Sequence, residues 1–127
     1  MKKKVSLLLA TLFLVGSLAG CNKSTGASAN AKSIKVGLNY ELTGGVATYG
    51  QGLVEGIELA FEEINKNGGV LGKQIEIIKV DNKSDNAESA NVASKLATRD
   101  KVIAILGPAT SGNTKAAAPI AIQNKVP

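Results

Sequence analysis

The chain switches repeatedly between short apolar or alternating segments and segments with helical periodicity, a pattern that predicts strands separated by helices. The predicted strands are 34–38, 74–81 and 102–106. The predicted helices are 50–67, 85–97 and 115–123. A β-α-β-α-β-α order places parallel strands side by side and helices on the faces of their sheet. The sequence therefore predicts an α/β fold with three layers.

Several helix boundaries carry local signals. The Asn-Gly-Gly sequence at 67–69 is expected to end the first helix, since glycine tolerates the left-handed conformation that often follows one. Asp85, with Glu88 three residues later, predicts a capping box at the start of the second helix. Pro119 is expected to kink or divide the third helix, because proline cannot donate the helical hydrogen bond.

The loop at 106–114, between the third strand and the third helix, has the composition of an anion-binding turn. Gly107 and Gly112 allow a tight turn and a close approach of the backbone to a ligand. Ser111 or a neighbouring hydroxyl is expected to cap the helix, whose first-turn N–H groups and dipole favour a negative charge. Such residues also occur in loops that only turn the chain and cap a helix. Both interpretations stand at this point: a seat for a carboxylate, or a plain turn.

Two other loops are predicted to lie at the same edge of the sheet. Segments 39–49, 81–85 and 107–113 each follow the carboxyl end of a predicted strand. In parallel α/β sheets, ligands bind beyond those ends. The sequence thus predicts a small-molecule site to which three loops contribute.

The first 33 residues have the pattern of an exported lipoprotein. Residues 1–20 combine a basic start, an apolar segment at 5–15 and small residues before Cys21, which predicts a signal peptide. Leu18-Ala19-Gly20-Cys21 resembles the bacterial lipoprotein signal, in which the cysteine carries the lipid, and an ordinary secretory signal is the alternative. Residues 21–33 are small and polar, so we expect a flexible tether to a domain at 34–127.

Charge and composition exclude several functional classes. The net charge of +5 falls to +2 when residues 1–20 are removed, and no basic stripe with interleaved aromatic residues is present, so a nucleic-acid partner is not expected. The chain has no histidine, which rules out His-based triads, a histidine base and imidazole metal ligands. We expect no metal and no cofactor.

Three motifs invite comparison with enzymes or ion sites, and each is incomplete. Thr110-Ser111-Gly112 lacks the G-x-S-x-G pattern of a nucleophile elbow. Residues 67–74 resemble a phosphate loop, but asparagine and glutamine replace its first glycine and its Ser/Thr, so a helix-to-strand turn is the better interpretation. Segment 81–86 resembles a calcium loop, but Lys83 occupies a ligand position and a solvated turn fits better. The sequence does not predict an enzyme.

Several spaced motifs, taken in order from Ile34 to Pro127, resemble one family. They are Gly37, Leu42-Thr43-Gly44, Tyr49-Gly50, Gly56-Ile57-Glu58-Leu59-Ala60, Ile64-Asn65, Gly68-Gly69-Val70-Leu71-Gly72, Asp81, Leu106-Gly107-Pro108, Ser111-Gly112 and Thr114. The chain is similar to the branched-chain amino acid type of extracytoplasmic substrate-binding protein, which delivers ligands to ABC transporters. The resemblance implies two α/β lobes that close on an amino acid, with residues 34–127 forming the first half of a type I lobe.

The resemblance also implies roles for individual residues. Ser111, with the backbone beside it at Ala109 and Thr110, would hold the ligand carboxylate, and the Thr110 hydroxyl could contribute. Tyr49 matches a position that offers its ring to the ligand side chain, although an aromatic residue that only packs in its loop is an alternative. Some family members carry cysteines where this chain has Ser84 and Thr110, so a disulfide between those positions is not expected here.

The implied protein is anchored outside the cell membrane through lipid on Cys21, with a permease and an ATPase as partners. In the family, further segments complete the first lobe and supply the second, which provides groups for the ligand ammonium. We therefore expect a truncated chain or a fragment that binds amino acids weakly or not at all by itself. Alternatives are a ligand-sensing receptor domain of the same fold, a non-functional fragment, and a surface lipoprotein that binds another protein.

Overall fold

A computed structural model describes residues 33–127, so the predictions for the signal segment, Cys21 and most of the tether lie outside the described part. The strands are β1 (Ile34–Tyr40), β2 (Ile75–Asp81) and β3 (Ala104–Leu106). The helices are α1 (Ala47–Lys66), α2 (Asn86–Lys95) and α3 (Ser111–Gln123), and a π-helical turn (Leu96–Asp100) follows α2 directly. The predicted α/β order is confirmed.

The strands form one parallel sheet in the order β2-β1-β3. In this register Tyr40 lies opposite Asp81, and Leu38 lies opposite Leu106. The carboxyl ends of the strands therefore meet along one rim, called the carboxyl edge below.

Alternate side chains of the strands pack against helices on opposite faces of the sheet. On one face, Leu38 and Tyr40 of β1 form a cluster with Val54 of α1. On the other face, the cluster combines Val92 of α2 with Leu96 and Val102, and Ile78 and Ile105 of the sheet pack against it. α3 packs beside α2. This arrangement confirms the predicted three layers.

The third strand is shorter than the predicted 102–106. The backbone of Lys101 adopts a left-handed conformation with φ of 55°, and the Val102 N–H donates to the Leu96 carbonyl. These features close the π-helical turn, so the chain meets the sheet only at Ile103, whose N–H donates to the carbonyl of Lys35 at 2.9 Å. Val102 lies outside the strand, and its hydrophobic side chain packs against α2.

Two helices begin earlier than predicted, and Pro119 does not divide α3. α1 starts at residue 47 and α3 at residue 111, instead of 50 and 115. The predicted division at Pro119 is wrong because proline removes a single helical donor. Lys115, whose carbonyl loses that donor, is exposed and accessible to water.

The other boundary signals act largely as predicted. α1 ends at Lys66, and Gly68 follows with a positive φ of 101°. The carboxylate of Asp85 accepts from the backbone N–H of Glu88 at 2.7 Å. The reciprocal bond of a capping box is not made, because the Asp85 N–H donates to the carbonyl of Asn82. Within residues 33–127, no helix is both long and apolar enough to cross a membrane.

Candidate ligand site at the carboxyl edge

Three loops meet at the carboxyl edge, as predicted. The first two are joined by Asp81, the last residue of β2, whose carboxylate accepts from the N–H groups of Leu42 and Thr43 and from the Thr43 hydroxyl at 2.9, 3.2 and 2.6 Å. It also accepts from the Lys83 N–H at 2.7 Å. Burial raises the pKa of Asp81, but these hydrogen bonds outweigh that effect and hold it below its usual range. The ionised side chain therefore fixes the loops after β1 and β2 to each other.

The first and third loops are joined by Glu41, which follows β1 directly and is fully buried. One carboxylate oxygen accepts from the Thr110 N–H at 3.2 Å, the Thr110 hydroxyl at 2.8 Å and the Asn113 amide at 2.7 Å. The other accepts from the Ala109 N–H at 3.0 Å. Burial raises the pKa of Glu41, yet the hydrogen bonds from Ala109, Asn113 and Thr110 lower it overall. Glu41 is thus an ionised group that holds the turn before α3.

Buried amides extend this polar network to α2. The amide of Asn39 donates to the Ser89 carbonyl at 2.9 Å, and its oxygen accepts from Asn82 at 3.1 Å. Ser89 in turn donates its hydroxyl to the Asn113 carbonyl at 3.3 Å. In the described part of the chain, every buried side-chain polar atom has a hydrogen-bond partner. A fully satisfied network of this kind fixes one arrangement of the loops.

Two glycines allow the loops to approach closely. A Cβ atom on Gly50 would lie 2.1 Å from the carbonyl oxygen of Glu41. Gly107 has a positive φ of 97°, and a Cβ there would lie 2.3 Å from the carbonyl oxygen of Asn39. Any larger residue at these positions would push the turns apart.

The turn at which the sequence predicts a carboxylate seat lies at this edge, and two of its backbone donors contact Glu41. Ser111 is the first residue of α3 and is exposed, whereas Ala109 and Thr110 are half-buried. The N–H groups of Ala109 and Thr110 are already bound to Glu41. Among residues 33–127, no group accepts a hydrogen bond from the N–H groups of Ser111 and Gly112, and both residues are exposed.

The predicted hydroxyl cap of α3 is wrong. Thr110 is the N-cap residue, and its side chain makes no capping bond. Its hydroxyl donates to the Glu41 carboxylate at 2.8 Å, and in the described part of the chain no first-turn N–H group donates to the hydroxyl oxygen.

Tyr49 lies in the first turn of α1, not in the loop before it. The residue is 67% exposed. The adjacent Gly50 packs on the backbone of Glu41, which itself binds Ala109 and Thr110, so the starts of α1 and α3 are neighbours at the carboxyl edge. Within the described region, no hydrogen bond joins Tyr49 to Ser111.

Ser84 and Thr110 fasten their loops by hydrogen bonds. The Ser84 hydroxyl donates to the Thr43 carbonyl at 2.7 Å. Thr110 binds Glu41, as described above. The two hydroxyls thus serve separate contacts.

The sequence offered little to single out Glu41. It follows a predicted strand as an ordinary charged residue at the start of a loop, and its partners lie 68 to 72 residues further along the chain. The available signal was the position itself, since a carboxylate that directly follows a central buried strand must find donors nearby.

Two of the three incomplete motifs, residues 67–74 and 81–86, form turns. Residues 70–73 form a tight turn in which the Val70 N–H donates to the Lys73 carbonyl at 2.8 Å, as the sequence suggested. Segment 81–86 is only partly solvated, because Asn82 is fully buried. Its first carboxylate, that of Asp81, binds backbone N–H groups. In the described part of the chain, no cluster of His, Cys, Asp and Glu side chains could hold a metal ion.

Comparisons with known proteins agree with the fold described above. The branched-chain amino acid transporter substrate-binding protein LivJ from Streptococcus pneumoniae, solved in complex with isoleucine, superposes with a TM-score of 0.75 at 50% identity, covering 76% of this chain and 28% of that one. The leucine-binding protein LivK from Thermotoga maritima gives a TM-score of 0.68 at 36% identity, covering 74% and 26%. A leucine-, isoleucine-, valine-, threonine- and alanine-binding protein from Pseudomonas aeruginosa is 36% identical over 118 residues, which are 93% of this chain and 31% of that protein.

The chain thus spans roughly a quarter to a third of the length of these relatives. They are binding proteins rather than enzymes, in line with the incomplete catalytic motifs. The sequence profile of the periplasmic binding proteins matches residues 33–127. The chain therefore belongs to the periplasmic binding protein family.

Proposed function

We propose that residues 34–127 form part of the N-terminal lobe of a solute-binding protein that delivers a branched-chain amino acid to an ABC importer. The observation that carries the proposal is the exposed start of α3, where the Ser111 hydroxyl and two backbone N–H groups are open at the carboxyl edge. The identity of 50% to a protein solved with isoleucine supports the ligand class.

The start of α3 suits a carboxylate for two physical reasons. Backbone N–H groups at a helix N-terminus lack intrahelical partners, and the helix dipole adds partial positive charge there. Because Glu41, Asn113 and the close-packed glycines fix the turn, the donors are held in place before a ligand arrives. Pre-organisation of this kind lowers the entropic cost of binding.

Tyr49 is proposed to cover the ligand side chain from the start of α1. Its exposed ring offers apolar area at the same edge as Ser111. On this basis, Tyr49→Ala should weaken binding of isoleucine more than binding of alanine, which has little side chain to cover.

The binding experiment uses a hybrid in which residues 33–127 replace the superposed segment of the S. pneumoniae protein, so that the rest of the relative's structure is present. Calorimetry should detect isoleucine binding, and Ser111→Ala should weaken it about 10- to 100-fold, because a hydrogen bond to a charged group contributes about 1.5–3 kcal/mol. Thr98→Ala, which removes an exposed hydroxyl in the π-helical turn after α2, is the matched control and should bind like the parent hybrid. A folded hybrid that does not bind isoleucine, or Ser111→Ala binding at full affinity, would contradict the proposal.

The proposal includes export and anchoring. Residues 1–20 would act as a signal peptide, Cys21 would carry the lipid, and residues 22–33 would tether an extracytoplasmic domain close to its permease and ATPase partners. In cells that express the full chain, a clickable fatty acid should label it, and Cys21→Ala should abolish the label. Equal labelling of both chains would argue against the anchor.

A further inference from the structure

The buried carboxylate of Glu41 carries a negative charge that no cation within residues 33–127 neutralises. Each of the four groups that contact it is a donor, namely two backbone N–H groups, a hydroxyl and an amide N–H. This set of partners fits an ionised carboxylate, which only accepts hydrogen bonds. The ion pairs of the described region lie elsewhere.

This charge lies next to the proposed ligand seat. Glu41 binds the N–H of Thr110, and the open donors begin at the following residue, Ser111. Consecutive Cα atoms are about 3.8 Å apart, and each N–H···O contact adds about 3 Å, so a bound ligand carboxylate would lie within about 10 Å of the Glu41 carboxylate. The two anions share one helix N-terminus.

We propose that Glu41 is a specificity-determining residue, whose buried charge favours zwitterionic amino acids over acids that carry a carboxylate alone. The inference rests on the function proposed above. A ligand carboxylate at Ser111 experiences repulsion from Glu41, whereas an α-ammonium group a few ångströms away experiences attraction. In an amino acid, the attraction between the ammonium group and Glu41 therefore largely cancels the repulsion of the carboxylate. A 2-hydroxy acid of the same shape has no ammonium group, so its carboxylate experiences the full repulsion.

The size of the effect follows from Coulomb's law. We take the Glu41 carboxylate and the ligand ammonium group as unit charges about 12 Å apart. With an effective dielectric constant of about 20 to 40, their attraction corresponds to a change of about three- to tenfold in affinity. A purely structural role for Glu41 predicts something different, because a looser turn weakens both ligands by the same factor. The ratio of the two affinities separates these explanations.

The test compares isoleucine with 2-hydroxy-3-methylpentanoate, which has a hydroxyl in place of the ammonium group. Dissociation constants are measured by calorimetry for the hybrid and for its Glu41→Gln variant, which keeps the side-chain shape and removes the charge. The preference of the hybrid for isoleucine should fall about three- to tenfold in the variant. Glu58→Gln, which removes an exposed carboxylate paired with Lys79, is the control and should leave the preference unchanged.

Each outcome either supports or overturns the role of Glu41 in ligand specificity. A fall in the preference supports the inference, and an unchanged preference overturns it even if both affinities drop. If circular dichroism shows that Glu41→Gln is unfolded, Glu41→Ala is measured by the same criterion, because its smaller side chain leaves room for water at the four donors. Failure of both variants to fold would assign Glu41 a structural role and overturn the inference. A folded parent hybrid that binds neither ligand would refute the proposed function, and this inference with it.

Discussion

Replacing Glu41 with glutamine should destabilise the 127-residue chain by about 2–4 kcal/mol at pH 7. The carboxylate accepts hydrogen bonds from Ala109, Asn113 and twice from Thr110. Glutamine keeps one acceptor oxygen and turns its NH2 group toward a donor, most simply the Ala109 N–H, which then lacks a partner. The loss of one charge-assisted bond costs about 1.5–3 kcal/mol, and the remaining bonds weaken because their acceptor is neutral.

The difference in the free energy of unfolding between the parent chain and its Glu41→Gln variant should depend on pH in a defined direction. A glutamate in an unfolded chain titrates near pH 4.3, and the hydrogen bonds to Glu41 lower its pKa in the folded chain. A depressed folded-state pKa means that the stabilisation is present above the unfolded value and is lost as the pH falls through the folded value. The variant cannot titrate at this position, so the gap in stability should be widest at pH 7 and should shrink below about pH 4.

The loss of stability and its pH dependence are both measured by urea unfolding, followed by circular dichroism at several pH values from 7 to 3. Glu58→Gln serves as the control, because the exposed pair of Glu58 with Lys79 should contribute less than about 1 kcal/mol. A loss below about 1 kcal/mol for Glu41→Gln would refute the reasoning. So would a gap that stays constant across the pH range, because it would mean that the charge of Glu41 does not stabilise the fold.

Three further substitutions test the local structure by the same urea assay. Gly50→Ala should destabilise the chain by more than about 1 kcal/mol, because its Cβ would lie 2.1 Å from the carbonyl oxygen of Glu41. Gly56 lies in the same helix, and a Cβ there would meet no atom within 4 Å. Gly56→Ala should therefore stabilise the chain by about 0.5–1 kcal/mol. Equal effects at the two glycines would contradict the close approach. Asp85→Ala should lower the free energy of unfolding by about 1 kcal/mol, because the N-cap bond to the Glu88 N–H is lost. An unchanged urea midpoint would show that this bond does not contribute to stability.

The element order could be predicted because it depends on short-range patterns. The alternation in β1 and β2 and the cap at Asp85 are read from neighbouring residues. The structure has β2 and the cap close to where the sequence indicates, whereas β1 continues to Tyr40, two residues beyond the predicted end at 38. The third strand could not be bounded in this way. Val102 is as apolar as a strand residue, but the π-helical turn before it directs its side chain to α2.

The position of the turn before α3 was predictable, and its hydrogen bonds were not. A glycine- and hydroxyl-rich turn after a buried strand marked the start of α3, and the structure places Ser111 there, exposed. The occupation of the Ala109 and Thr110 donors by Glu41 could not be foreseen, because those contacts span about seventy residues. Such contacts arise only when the parallel sheet brings the ends of β1 and β3 together. The roles of Ser111, Thr110, Ala109 and Tyr49 toward a ligand stay predictions.

The central claim is that the start of α3 holds a ligand carboxylate, and a crystal structure of the hybrid grown with isoleucine tests it most directly. The account predicts the carboxylate within hydrogen-bond distance of the Ser111 hydroxyl and of the Ser111 or Gly112 N–H, with Glu41 still bound to Ala109 and Thr110. Isoleucine bound elsewhere, or with its carboxylate turned away from α3, would contradict it.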